Sequence, residues 1–308
     1  MKQTNSSVRD VSLASKLRYY GRLAHSRFIM PAGAEAVAAE IADLRGIAAQ
    51  FEERTGLKAS ESTVLEIGFG ARPRRAFLLT GIFRQVYAID IDHPVLRLRD
   101  ILSAWRRNGW ERSVKSLVRH CLFETREWPR FHAAARAELP AYDPASAHLL
   151  VASVGDPSVW DKIGSVDLAF SRDVFEHIPV EELRLGMLHL REHLSAHGMV
   201  ITQPGIFTGI IGGHDPNWTV YRAPFNPPEQ AWQHLTDPAF SVNTYLNRLT
   251  RREFVKLFED TGFRIERDHA LMGDIHAHLL TPQKRAELAA FDEYELFSNR
   301  VEFHLLPR

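Results

Sequence analysis

From Thr63 onward the chain sets short apolar, β-branched runs far apart, with intervals too long for hairpins and long enough for helical crossovers. The runs at 63–67 (TVLEI), 86–90 (VYAID), 148–154 (HLLVASV), 166–171 (VDLAFS) and 198–202 (GMVIT) are apolar almost throughout, as strands covered on both faces must be. This spacing predicts an α/β fold, a Rossmann-like, mostly parallel sheet with helices on both faces. Two further runs, 263–268 (FRIERD) and 299–305 (NRVEFHL), alternate apolar and polar residues, which suits strands at a sheet edge and brings the expected total to seven.

Two helices are strongly signalled. Leu183, Met187, Leu190 and Leu194 recur at helical spacing, with Glu181 and Glu182 near the start and Arg191 near the end, as the helix dipole favours. In TRREFVKLFEDTG, Thr250 and Glu253 form a capping-box pattern, Phe254, Leu257 and Phe258 share a face, and Gly262 can close the end. Residues 1–60 read as a helical lead-in, with an amphipathic helix around 34–54 that packs over the sheet or over a ligand. Residues 61–308 read as the main domain, with insertions at about 110–147 and 203–247. The second insertion is rich in Gly, Pro and aromatic residues; a loop that long is functional or disordered, and its aromatic content argues against disorder.

Composition excludes more than it selects. Lys plus Arg and Asp plus Glu both number 38, a net charge of zero, so no nucleic acid partner is expected. The single cysteine, Cys121, removes internal disulfides and cysteine-cluster metal sites and fits a cytoplasmic location. No apolar run reaches the roughly 18–20 residues of a membrane span, so no membrane partner is expected either.

Ligands of an open parallel sheet bind beyond the carboxyl ends of its strands. Glu66, Asp90, Asp156, Asp173, Glu176, His177 and Gln203 all fall at or just after predicted strand ends. The first of these turns, VLEIGFGARPRR, begins like a dinucleotide fingerprint, but it stops after Gly68 and Gly70 and places Pro73 where a phosphate-binding helix would offer an N–H. The two glycines admit a ligand close to backbone, and an acid ending the second strand suits ribose hydroxyls. Glu66 would repel a pyrophosphate and favour an ammonium or sulfonium group. An adenosine with those groups and no phosphate is S-adenosylmethionine. Arg72, Arg74 and Arg75 read as a solvated face.

VLEIGFG, VYAIDID, the Gly155-Asp156 pair, VDLAFSRDVFEHIP and LSAHGMVITQPG, in this order, resemble the motifs of class I S-adenosylmethionine-dependent methyltransferases of the type 11/23 kind. NRLTRREFVKLFEDTGFRI is similar to the family's last helix and sixth strand. The resemblance covers about residues 60–271 and the final strand, and implies that this strand runs antiparallel. It further implies that Glu66, Gly68, Phe69 and Gly70 surround the methionine moiety, that Asp90 and Ile91 hold the ribose, that Asp156 accepts from the adenine amino group, and that Ser171 or Arg172 touches the cofactor through backbone. Where the family commonly has a third glycine, this chain has Arg72.

On the acceptor side the candidates for proton removal are His177 and Asp173 just past the fourth strand and His214 in the long loop, with Asp215 beside it. Asp173 and His177, with His214 or Asp215, could also ligate a divalent cation, but no motif fixes a metal site. Trp218, Tyr221 and Phe225 offer a stacking platform for a ring-shaped acceptor, a saccharide for example, or simply a packed lid. The expected activity is methyl transfer to oxygen of a small-molecule or carbohydrate acceptor. A nicotinamide-dependent oxidoreductase and a non-catalytic cofactor-binding module on the same fold are the competing readings.

Overall fold

The computed structural model describes residues 33–94, 125–214, 230–240, 244–273 and 275–308. Seven strands form one sheet: β1 (Thr63–Ile67), β2 (Gln85–Asp90), β3 (Ala147–Val151), β4 (Val166–Arg172), β5 (Leu194–Gln203), β6 (Phe263–Ala270) and β7 (Val301–Pro307). Their order across the sheet is β3-β2-β1-β4-β5-β7-β6. The β3 to β5 half is parallel throughout, whereas β7 pairs antiparallel with both β5 and β6. Chain order reverses between β1 and β4, so the ends of β1, β2 and β4 flank the crevice where ligands of such sheets bind.

Both faces of the sheet are covered. Helix α1 (Ala34–Thr55) turns Val37, Ile41, Leu44 and Phe51 inward at 3.6-residue spacing and packs them on Val64, Leu168, Phe170, Met199 and Ile201 of the sheet. Helices α2 (Arg74–Leu79) and α3 (Thr125–Glu138) share that side through Phe77, Leu78, Phe131 and Ala135. Helix α3 is the regular part of the 110–147 insertion, whose residues up to 124 lie outside the described ones. The opposite face carries α4 (Pro157–Trp160), α5 (Val180–His193) and α6 (Arg251–Asp260), which bury Trp160, Leu183, Met187, Leu190, Phe254 and Phe258. Full burial of each such side chain contributes about 1.5–3 kcal/mol before entropy is set against it. The Thr250–Glu253 capping box forms in both directions at the start of α6.

The final strand departs from its sequence reading. Its alternation suggested an edge, yet β7 lies between β5 and β6 and buries all its residues but Pro307. An interior strand tolerates these polar side chains because each is partnered: Glu302 accepts from Gln203 Nε2 at 2.7 Å, and His304 Nε2 lies 3.1 Å from Glu302. The edge expected of 263–268 is occupied by β6.

Candidate functional site

A cavity of about 510 Å³ opens at the carboxyl ends of β1, β2 and β4, within the range of small-molecule sites. The β1–α2 turn forms one wall. Gly68 adopts φ +90° and its N–H donates to Ile89 O at 2.8 Å; a β-carbon there would lie 2.2 Å from Val174 Cγ2. Gly70 adopts φ +66° with open space where a side chain would project. Both conformations favour glycine, and Phe69 between them also lines the cavity.

Asp90 ends β2 in the cavity wall, with Ile91 and Asp92 beside it. Its two oxygens accept from Gly70 N and Asp92 N, each at 2.7 Å. These bonds fix the carboxylate's orientation and join the ends of β1 and β2. Burial raises its pKa, and the backbone N–H groups of Asp92 and Gly70 work against that rise.

Glu66 does not face the cavity. It is fully buried, and Arg75 Nε donates to it at 2.9 Å. Burial pushes the Glu66 carboxyl up to about 7, with Arg75 opposing. Arg75 lines the cavity in its place and also reaches Gly68 O and Arg172 O at 3.4 Å. The three arginines therefore do not form a solvated face: a buried carboxylate needs a cation, so Arg75 turns inward; Arg72 pairs with Glu127, and Arg74 lies 4.6 Å from the Phe131 ring centroid. The repulsion of phosphate assigned to Glu66 falls away, but the helix start remains unsuited to phosphate. Pro73 precedes α2, and the first N–H of the helix, that of Arg74, is committed to Arg72 O at 2.7 Å.

Besides Glu66, two expected cofactor residues lie off the cavity lining. Asp156 is exposed, and its carboxylate accepts from Ser158 N at 2.9 Å, capping α4. Ser171 is buried and donates to Ile67 O at 2.9 Å, tying β4 to β1. Arg172 does line the cavity, while its guanidinium reaches outward to Gln203 Oε1 at 2.5 Å and Asp43 Oδ2 at 2.6 Å. Gln203, in turn, is buried between Arg172 and Glu302 rather than open to the cleft.

The turn after β4 supplies the other wall. Asp173 has φ +55° and faces the cavity, but Arg300 grips its carboxylate in two-pronged fashion at 2.8 and 2.6 Å. Both of its oxygens are therefore already taken up by a cation. His177 lines the cavity next to Tyr245. Its Nδ1 lies 2.9 Å from Tyr245 O, an acceptor, so Nδ1 carries a hydrogen and the lone pair of the neutral ring lies on Nε2. Asn247 braces this turn, donating from Nδ2 to Phe175 O at 2.7 Å and Ile178 O at 3.0 Å, and from its backbone N–H to Glu176 O at 2.8 Å.

His214 sits behind His177 rather than on the cavity lining, ring against ring at 4.9 Å and 81°. Burial, with the His177 and His234 rings, lowers its pKa to about 4, which keeps it neutral. Glu176 is buried beside both, and burial pushes its carboxyl up to about 8. The sequence did not single out Arg75, Arg300 or Asn247 as site residues; Arg300 and Asn247 act on partners 127 and 72 residues away, and Arg75 acts across the β1–α2 turn on Glu66, a pairing that no helix or strand period records. Asp215, Trp218, Tyr221 and Phe225 lie outside the described residues.

The chain's mostly parallel seven-stranded sheet with a single antiparallel strand is the Rossmann-like fold expected from the sequence. No family model and no curated protein matches it. Among solved structures it is similar to a magnesium protoporphyrin IX methyltransferase from Synechocystis PCC 6803 with bound S-adenosylhomocysteine, at 14% identity and TM-score 0.42, over 97% of this chain and 90% of that one. It is also similar to a geranyl diphosphate C-methyltransferase from Streptomyces coelicolor A3(2), at 12% identity and TM-score 0.44, over 89% and 83% of the two chains. A TehB-like methyltransferase from Corynebacterium glutamicum aligns at 13% identity and TM-score 0.38, over 91% of this chain and 100% of that one. Among the described residues no helix is long and apolar enough to cross a membrane.

Proposed function

We propose that this chain is an S-adenosylmethionine-dependent methyltransferase acting on a small-molecule acceptor, with transfer to oxygen. The observation that carries the reading is Asp90, a carboxylate fixed at the end of β2 and facing the cavity beside a turn whose two glycines both have positive φ. That arrangement suits a ribose and a close-lying ligand backbone, and at the start of α2 Pro73 has no N–H and the Arg74 N–H is already given to Arg72 O.

Under this reading Asp90 accepts from the ribose hydroxyls, Ile91 covers the sugar, and the backbone from Gly68 to Gly70 lies along the methionine portion. Arg75, already neutralised in part by Glu66, presents its guanidinium to a cofactor carboxylate. Asp156, exposed as the α4 cap, leaves the adenine to the wall formed by Ala152, Ser153 and Val154. The cofactor supplies an electrophilic methyl group on sulfonium. The protein's part is to hold the acceptor in line with it and to exclude water. His177, Ile178 and Tyr245 form the acceptor side, where Nε2 of His177 is the basic nitrogen. A carbohydrate acceptor remains part of the proposal only through the aromatic residues of the 203–247 insertion.

Calorimetry with S-adenosylhomocysteine tests the reading: the folded protein binds it below millimolar concentration, and Asp90→Ala weakens binding at least about ten-fold, the equivalent of about 1.4 kcal/mol. Absence of binding, or binding of NADH in its place, overturns the proposal. Binding without methyl transfer to any component of a cell extract supplied with labelled cofactor marks a non-catalytic module instead.

A further inference from the structure

Behind the acceptor wall, Glu176, His177 and His214 bring one carboxylate oxygen and two imidazole nitrogens within 4.8 Å of one another. Three features separate this cluster from ordinary packing. Glu176 is 4% exposed, and its Oε2 is buried with no hydrogen-bond partner, although a buried carboxylate oxygen normally has one. His177 has its Nδ1 hydrogen committed to Tyr245 O, the kind of backbone-carbonyl outer partner that metal-bound histidines commonly have, which leaves Nε2 as the nitrogen able to ligate. His214 holds its place from a backbone at φ +51°, unusual for a residue with a β-carbon, and its ring stands edge-on to that of His177. Gly205 makes room for the cluster: a β-carbon there would lie 2.8 Å from Glu176 Oε1 and 3.6 Å from His214 Nε2.

We propose that Glu176, His177 and His214 bind one divalent transition-metal ion of the zinc class. Two imidazoles and one carboxylate are a donor set that suits Zn²⁺ and its neighbours better than Mg²⁺ or Ca²⁺, which prefer oxygen alone. Metal–ligand bonds of about 2.0–2.1 Å require the three side chains to draw together by about 1 Å or slightly more. The ion also gives the orphaned Glu176 oxygen a partner. Three protein ligands leave at least one coordination position open, as in catalytic rather than closed structural sites. Since His177 belongs to the cavity wall, an ion on its Nε2 lies next to the acceptor side. There it would engage an oxygen-bearing acceptor as a Lewis acid, a role that replaces that of His177 Nε2 as base, since one lone pair cannot serve both; this last step alone rests on the methyltransferase reading.

The test uses the full chain, free of any purification tag and dialysed against EDTA, titrated with Co²⁺ and followed by its visible d–d absorption, with Zn²⁺ as the displacing ion. The expected result is one equivalent of Co²⁺, displaced by Zn²⁺. His214→Ala and the near-isosteric Glu176→Gln, each checked by near-UV circular dichroism, should bind about 100-fold or more weakly, since losing even an outer partner costs about 10–100-fold. A folded wild-type chain that takes up no Co²⁺, or absorption bands that persist in both folded variants, overturns the proposal. Calorimetry with S-adenosylhomocysteine on the same samples separates the two claims. Cofactor binding without metal uptake removes the metal site alone, and metal uptake without cofactor binding removes the methyltransferase reading alone.

Discussion

Replacing Glu66 with glutamine gives a quantitative test of how the cavity wall is built. Glu66 has no exposed surface, its cation is Arg75 at 2.9 Å, and burial lifts its pKa from 4.5 to about 7. An acid whose pKa is raised on folding binds its proton more tightly in the native state, so its contribution to stability is full below the unfolded pKa and is lost as pH rises through the folded one. The window here runs from about pH 4.5 to about pH 7. Integrating the two titrations between about pH 5 and pH 8 gives a loss of about 2.5 kcal/mol in the wild type that the Glu66→Gln variant does not suffer. Glutamine keeps a carbonyl oxygen for Arg75, so the local geometry is retained. Urea unfolding followed by tryptophan fluorescence at several pH values across that range measures the difference directly. The variant's stability should gain on the wild type as pH rises, by an amount equivalent to about 4 °C in melting temperature for a chain of 308 residues. Parallel pH profiles for the two proteins, or a variant that loses ground as pH rises, would refute the account of Glu66 as a buried acid only partly compensated by Arg75.

The two glycines of the β1–α2 turn should differ sharply. Gly68→Ala meets both an unfavourable φ and Val174, and should cost about 2–5 kcal/mol in a denaturant melt, whereas Gly70→Ala meets only the φ penalty, about 1–2 kcal/mol. Equal losses at the two sites would show that the Val174 contact is not what excludes a side chain at Gly68. Glu295 is buried and accepts from Thr208 Oγ1 at 2.9 Å, Arg251 N at 2.9 Å and Arg252 N at 3.1 Å; Glu295→Ala strands these donors and should lower unfolding free energy by about 2–4 kcal/mol. Thr250→Ala removes half of the capping box on the same helix and should cost only about 1 kcal/mol by the same assay. A larger loss for Thr250 than for Glu295 would reverse the assignment of which group anchors the start of α6.

Much of the sheet was legible because a strand covered on both faces has to be apolar over its length, and β1 occupies the residues so read. The capping box of α6 was legible for a similar reason: its two bonds join residues three apart. Partnerships that follow no helix or strand period left no such trace. Arg75 looks like any surface arginine until a fully buried Glu66 claims it, and β7 looks like an edge strand until Gln203 and His304 are found around Glu302. Asp156 shows the converse, since Gly-Asp-Pro at a strand end reads equally as ligand contact and as helix cap, and the structure places its carboxylate on Ser158 N. In the turn after β4, Asp173 and His177 line the cavity, as their place at a strand end suggested. Which of them keeps a free lone pair was decided by Arg300 and by Tyr245 O, respectively 127 and 68 residues away.

The interior position of β7 has a consequence for the order in which the molecule can assemble. During synthesis β1 to β5 and then β6 emerge before residues 301–307, yet β6 reaches the rest of the sheet only through β7. Until that strand arrives, β5 and β6 each present an unpaired edge, and β5 also lacks the Glu302 carboxylate that receives Gln203. Closing the sheet is therefore a late, long-range event, and any delay leaves two sticky edges available to neighbouring chains. The Asp173–Arg300 pair forms in the same event, so that wall of the cavity is finished only when the sheet is.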